Sequence, residues 1–154
     1  MARTGAFFTK EQDKELERLL KQFGPAVAKR PLARSLREAQ KIITTEAKAT
    51  APRGKTGQLK KAIKTRALPK RGRAGRKSVA FATTVSEKHM PERYYASFIE
   101  LGAKGRNIEP REFFRQAFDR KENEAARKFT RTLDQAIAFI WKSGGKLTGF
   151  KADG

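Results

Sequence analysis

The stretch Ser78-Val79-Ala80-Phe81-Ala82-Thr83-Thr84-Val85 decides the fold class of this chain of 154 residues. Its residues alternate so that one side is apolar or β-branched, which is the pattern of a half-buried β-strand. A second alternating segment covers residues 62–68, and the two segments together predict an antiparallel hairpin. Residues 69–77 between them are basic and contain glycine, and they are too many for a tight turn.

Two helices are predicted before the hairpin from apolar residues spaced three and four apart. Thr9 is a suitable N-cap for the first helix, which ends at Gly24-Pro25. The second helix lies within residues 26–50. We expect it to begin near Pro31, because proline is favoured in a first turn, and to stop before Pro52.

Three further segments complete the predicted order of elements. Thr56-Gly57-Gln58-Leu59 is typical of a cap followed by a short helical turn. Residues 86–93 are expected to be a loop, and residues 94–102 form either one buried helical turn or a third strand. A long amphipathic helix is predicted from residue 111 to about residue 142.

This order predicts an α+β fold with two N-terminal helices, a small antiparallel sheet with a long basic hairpin loop, and a long C-terminal helix. We expect a single domain over residues 1–154, with its core in about residues 30–142 and flexible ends at 1–8 and 143–154. The aromatic side chains of 94–98 and 113–118 are expected to belong to the core.

The charge of the chain indicates the kind of partner that it binds. Lysine and arginine number 36 and acidic residues 16, so the formal net charge is +20. Such a field attracts nucleic acid or an acidic protein surface. No run of about 18 apolar residues predicts a membrane span, and the first residues lack the apolar region of a secretory signal.

Several classes of enzyme are excluded by the same composition. The chain has no cysteine, so it has no thiolate nucleophile and no cysteine-ligated zinc. A triad or a histidine-rich metal site would have to be built around His89 alone, and we expect this histidine to be solvated. Carboxylate chemistry stays open. We expect no catalytic residue, no metal and no cofactor.

The segment Ala49-Thr50-Ala51-Pro52-Arg53-Gly54-Lys55-Thr56 fits a loose form of the nucleotide phosphate-binding loop. That chemistry needs a buried strand before the loop, so that backbone N–H groups converge on the phosphates. A charged helix precedes this segment instead, and Pro52 removes one amide. A helix stop followed by a restart is therefore the preferred interpretation.

Two groups of residues are the candidate sites. Glu100 stands inside an apolar segment, where a carboxylate is costly to bury without a partner. It caps a backbone turn or pairs with an arginine, and we assign it, with Thr56 and Gly57, a structural or interface role. The second group comprises the cations of the hairpin loop, which contact phosphates or an acidic neighbour unless they are simply solvated. These cations are Lys70, Arg71, Arg73, Arg76 and Lys77.

The ordered motifs of the chain resemble those of the tail-completion, or neck, proteins of long-tailed double-stranded DNA bacteriophages. The shared pattern covers roughly residues 30–140. The matching segments are Ala47-Lys48-Ala49-Thr50-Ala51-Pro52, Thr56-Gly57-Gln58-Leu59, Tyr95-Ala96-Ser97-Phe98-Ile99-Glu100-Leu101-Gly102, and Pro110-Arg111-Glu112-Phe113-Phe114-Arg115-Gln116-Ala117-Phe118.

The resemblance implies a virion protein without enzymatic activity, made in the host bacterial cytoplasm. Such proteins form a ring, expected to be hexameric, that joins the head–tail connector to the tail tube. The implied partners are other copies of the chain, the adjoining connector or stopper, and the tail terminator or tail tube. Non-specific contact with DNA in the lumen is also expected. The alternative is a basic protein that binds nucleic acid without sequence preference.

Overall fold

The computed structural model describes residues 10–53, 57–68, 80–86, 90–146, 148, 150 and 151. Within them the chain order is helix α1 (Lys10–Phe23), α2 (Pro25–Thr50), α3 (Gln58–Ala62), strands β1 (Ile63–Ala67) and β2 (Phe81–Val85), α4 (Met90–Leu101) and α5 (Phe113–Lys142). A 3-10 turn, Lys104–Arg106, lies between α4 and α5. The predicted α+β class is confirmed, and helices dominate it.

Two prolines lie inside helices where the sequence suggested boundaries. The predicted start of the second helix near Pro31 is wrong, because α2 already begins at Pro25. Pro25 takes the favoured first position of the helix, after Gly24 in the left-handed region. The ring of Pro31 is fully buried, so its packing offsets the backbone hydrogen bond that proline cannot make.

The segment before residue 94 is also more helical than predicted. The sequence predicts a loop over residues 86–93, of which 87–89 lie outside the described residues, and a buried helical turn or a strand over residues 94–102. Instead α4 begins at Met90 and runs for 12 residues. Pro91 falls in its first turn, where the missing N–H has no partner within the helix to lose. The proline therefore starts this helix and does not interrupt it.

Residue contacts divide the chain into two compact units, and the boundary falls inside α2 and inside α5. We call them the terminal unit, with the described residues of 10–39 and 126–151 and Ala80, and the central unit, with those of 40–68 and 81–125. The expectation of a single domain over residues 1–154 stays a prediction.

The terminal unit is built from α1, the first part of α2 and the last part of α5. Leu19, Leu133 and Ile140 are fully buried in it. The ring centroids of Phe23 and Trp141 lie 5.5 Å apart in an edge-to-face arrangement, a geometry that aromatic pairs prefer. The amphipathic pattern that predicts α1 and α5 thus corresponds to buried positions on both helices.

The central unit places a two-stranded sheet against α2, α3, α4 and the start of α5. The strands pair in the antiparallel register Ile63↔Val85, Thr65↔Thr83 and Ala67↔Phe81, which confirms the predicted hairpin. Ala80 already lies outside the second strand. The core combines small and large apolar side chains from every element of the unit: Ala47, Ala51, Leu59, Ala62, Ile63, Val85, Ala96, Ile99, Phe113 and Ala117.

A set of hydroxyl groups joins α2 to the sheet. The Oγ1 atom of Thr44 lies 2.7 Å from that of Thr65 and 2.8 Å from that of Thr83. Thr44 also donates to the carbonyl of Gln40 one turn earlier, and the Gln40 side-chain amide donates to Thr83 over 2.7 Å. Since a hydroxyl has one proton and two lone pairs, Thr65 and Thr83 both donate to Thr44. All of these groups are then satisfied.

Candidate interaction surface

The outward side of α4 is apolar and exposed. Tyr94 is 61% exposed and Leu101 is 79% exposed. The two residues are seven positions apart, so they lie on one helix face, with the exposed Ser97 and the half-buried Phe98 between them. None of these four side chains carries a charge, although charged residues make up 34% of the chain. We call this set the α4 face.

An exposed, uncharged helix face in such a polar chain is typical of a surface that contacts another protein. The opposite side of α4 is occupied by Ala96 and Ile99, both buried in the central core. The helix is therefore anchored through its inner side, and its outer side is exposed. The expectation that all aromatics of 94–98 belong to the core is wrong for Tyr94 and Tyr95, since both are exposed.

Glu100 fixes the end of α4 to the beginning of α5. Its two carboxylate oxygens accept hydrogen bonds from the backbone N–H groups of Phe114, at 2.9 Å, and Arg115, at 3.1 Å. These groups belong to the first turn of α5, where N–H groups have no partner within the helix. A carboxylate at this end also complements the positive pole of the helix dipole. Glu100 thus caps a helix, and an interface role for it stays a prediction.

The turn after α4 depends on Gly102. Its φ of +74° lies in the left-handed region. A Cβ atom at this position would lie 2.9 Å from Cδ of Pro110 and 3.0 Å from the carbonyl oxygen of Ile108. The backbone N–H of Arg111 then donates to the carbonyl of Ile99 over 2.7 Å. The Glu-Leu-Gly sequence therefore encodes one rigid junction, and Leu101 projects from it.

Cations border the α4 face. The 3-10 turn supplies Lys104 and Arg106, and both are exposed. The Arg106 guanidinium carbon lies 5.2 Å from the centre of the Phe98 ring, within the range of a cation–π interaction. This contact places positive charge directly beside the apolar side chains.

The outer side of the hairpin carries further positive charge. Lys64 and Arg66 alternate with the inward-facing residues of β1, and both are exposed. The predicted loop cations at positions 70, 71, 73, 76 and 77 lie outside the described residues, as do Thr56 and His89. Their assignment stays a prediction.

Gly57 is described, and it adopts a left-handed conformation, with φ of +63°, as the residue before α3. The residues before the loose phosphate-loop match are helical, since α2 runs to Thr50. This agrees with a helix stop and a restart. In the part of the chain that the structure describes, no three histidine or acidic side chains come together as a metal site would require.

Sequence reasoning singled out Glu100 but missed the α4 face. The available signal was the helical spacing of positions 90, 94, 97, 98 and 101, which contain no charged residue. This signal is not decisive, because the same segment also fits a strand, which would distribute these residues over both sides of a sheet.

None of the described helices combines the length and the apolar composition that a membrane-spanning segment needs.

Comparison with known proteins gives one family. No curated protein and no solved structure matches the chain. A family model described as bacteriophage HK97-gp10, a tail component, matches residues 10–102, which is more than half of the chain. The match covers α1 to α4 and confirms the resemblance to phage neck and tail-completion proteins. The chain therefore belongs to the HK97-gp10-like family of bacteriophage tail components, and it is a structural protein of the virion.

Proposed function

We propose that this protein is a subunit of the phage neck and joins the head–tail connector to the tail tube as part of a ring. The ring is hexameric, and its neighbours are the connector or stopper on one side and the tail terminator or tail tube on the other. The chain is made in the host cytoplasm and acts through contact, without catalysis. The observation that carries the proposal is the exposed α4 face in a member of a tail-component family.

The α4 face supports this function because exposing large apolar side chains to water is unfavourable, and a partner that covers them removes that free-energy cost. Burying a large apolar side chain contributes about 1.5–3 kcal/mol, so Tyr94 and Leu101 favour association with a partner. The hydrogen bonds of Glu100 attach the end of α4 to the first turn of α5, and a preformed backbone surface loses less conformational entropy on binding.

The test is a phage that lacks the gene for this protein, complemented from a plasmid. Without complementation we expect filled heads and separate tails in electron micrographs. With the wild-type chain we expect joined particles that contain a ring of this protein at the neck. Normal infectious particles without the protein would overturn the proposal, and so would its presence only at the distal end of the tail.

A second candidate function is binding of nucleic acid without sequence preference. It is favoured by the net charge of +20 and by the exposed cations of β1, which lead into the loop cations of residues 70–77. A ring around DNA would meet phosphates, so this function is compatible with the first. Binding of this type weakens steeply with salt, because each neutralised phosphate releases counterions.

The test of this second function changes Arg71, Arg73 and Arg76 to glutamine. The matched control changes three exposed arginines of α5 instead: Arg115, Arg127 and Arg131. Affinity for duplex DNA is measured over a range of salt concentrations. The loop variant is expected to bind more weakly and with a shallower salt dependence than the control. Equal loss in both variants would remove any special role of the loop.

A further inference from the structure

The terminal unit carries a groove that is apolar like the α4 face but is bordered by acidic side chains instead of cations. It lies between α1 and α5, has a volume of about 360 Å³ and is lined by apolar side chains of Ile137, Ala138 and Trp141. Its acidic members are Glu11, Glu15 and Asp134. We call it the α1–α5 groove. Its volume is at the lower end of the roughly 300–1,000 Å³ typical of binding pockets.

The acidic side chains of the groove differ in their hydrogen-bond and ion-pair partners. Glu15 accepts a hydrogen bond from Nε1 of Trp141 at 3.1 Å and pairs with Arg18 at 2.7 Å, so its charge is largely compensated. Asp134 accepts from the side-chain amide of Gln12 at 2.8 Å, which is a neutral donor. Glu11 and Asp134 are exposed and carry the uncompensated negative charge of the groove. The Arg18 guanidinium, which pairs with Glu15, also lies 5.6 Å from the centre of the Trp141 ring.

A groove of this kind is unexpected in a chain with a net charge of +20. It combines apolar walls with two exposed carboxylates. The α4 face combines apolar side chains, above all Leu101, with the two exposed cations Lys104 and Arg106. The two surfaces are therefore complementary in both hydrophobicity and charge, and surfaces of opposite charge favour and orient association.

We propose that the α4 face of one copy docks into the α1–α5 groove of a second copy. The inference rests on the proposed function, because it names the contact between neighbouring subunits of the ring. The two surfaces differ, so the contact is heterologous: each copy offers a face to one neighbour and a groove to the other. A heterologous contact repeats around a closed ring, whereas a contact between identical surfaces stops at a dimer.

The chain contains no cysteine, so introduced cysteines test the contact directly. One version carries Leu101→Cys and an affinity tag that changes its mass, and another carries Ala138→Cys without a tag. Both positions are exposed. The two versions are co-expressed during phage assembly, and particles are oxidised and analysed on non-reducing gels. Lys61→Cys, an exposed position of α3, replaces Leu101→Cys in the matched control.

We expect the mixed, tagged–untagged dimer to predominate over both homodimers, and the Lys61→Cys control to give none. The inference is overturned if particles contain the protein and yield only homodimers or no cross-link. It is also overturned if Leu101→Cys cross-links to a different virion protein. These results leave the neck function standing. Absence of both versions from the particles would overturn the inference and the proposed function together.

Discussion

Gly102 is the residue on which the turn between α4 and α5 depends. Its φ of +74° and the close approach of Pro110 and Ile108 leave no room for a side chain. We expect Gly102→Ala to lower the free energy of unfolding by about 1–3 kcal/mol, because alanine is strained in the left-handed region. Denaturant melts measure this loss.

Gly105 offers a matched control for the same substitution. It lies in the adjacent 3-10 turn, and a Cβ atom there would meet nothing within 4 Å. Gly105→Ala is expected to change stability by no more than about 0.5 kcal/mol, as is usual for surface substitutions. If both alanine variants melted alike, the turn geometry described for Gly102 would be wrong.

Glu100 is the second residue that determines this junction. Glu100→Ala removes both acceptors for the first turn of α5, and loss of a cap costs about 0.5–2 kcal/mol. The free energy of unfolding is the measured quantity. The exposed Glu109 serves as the control, since Glu109→Ala removes the same charge without a cap. Equal losses would show that charge, and not capping, accounts for the effect.

At the scale of elements, the attachment of α2 to the sheet depends on hydroxyl groups. Thr83→Val keeps the shape of the side chain but leaves Gln40 and Thr44 without one partner each. Buried polar groups that lose a partner cost about 1–3 kcal/mol. We expect Thr83→Val to lower the unfolding free energy by about this amount in chemical denaturation.

Thr84 is the natural control for this prediction. Its buried Oγ1 has no hydrogen-bond partner among the described residues. Thr84→Val removes an unsatisfied group from the same strand, so it is expected to leave stability unchanged or to raise it. A loss of stability as large as that of Thr83→Val would contradict the hydrogen bonds assigned to α2 and the sheet.

Apolar residues of α5 recur at helical spacing and form a stripe along the helix that includes Phe118 and Leu133. Leu133 is fully buried, and Leu133→Ala is expected to cost about 2–5 kcal/mol through lost burial and a cavity. Phe118 belongs to the same stripe by sequence but is 45% exposed. Phe118→Ala is therefore expected to lower the free energy of unfolding by much less than Leu133→Ala. Thermal and denaturant melts of both variants measure the difference. A larger loss of stability for Phe118→Ala than for Leu133→Ala would contradict the burial described for these two side chains.

Amphipathic periodicity was sufficient to predict α1, α5 and the hairpin, because these elements alternate between one buried and one exposed side. It failed at Pro31 and Pro91 for a physical reason. A proline is tolerated when its ring is buried or when it falls in a first turn, and a single sequence does not reveal which condition holds. Phe118 shows the same limit, since helical spacing gives the face of a residue but not what covers it.

The candidate site was predictable only in part. Glu100 stood out because a carboxylate among apolar residues needs a partner, and the structure supplies two backbone N–H groups. These two groups lie 14 and 15 residues further along the chain, which no local pattern indicates. The α4 face was missed because apolar residues are assigned to a core by default, and a protein that functions in an assembly leaves some of them outside.

At the scale of the whole molecule, association between copies depends on both charge and apolar surface. A net charge of +20 makes copies of the chain repel one another, so association between them requires local complementarity. The α4 face and the α1–α5 groove supply it, with cations at the edge of one and carboxylates in the other. This arrangement predicts that reversing a charge on either surface weakens the ring and that reversing both restores it.

Lys104 and Glu11 are suited to this test, because both are exposed. Lys104→Glu is expected to weaken association of copies about tenfold, equal to about 1.4 kcal/mol, and Glu11→Lys in the same chain is expected to recover most of it. Lys61→Glu makes the same charge change on α3 and should have little effect.

Sedimentation or mass photometry at low and high salt measures the association of these variants. Salt screens exposed charges over about 8 Å at physiological strength, so the differences between variants should shrink as salt rises. Weakening by Lys104→Glu that Glu11→Lys does not reverse would show that these two charges do not meet between copies.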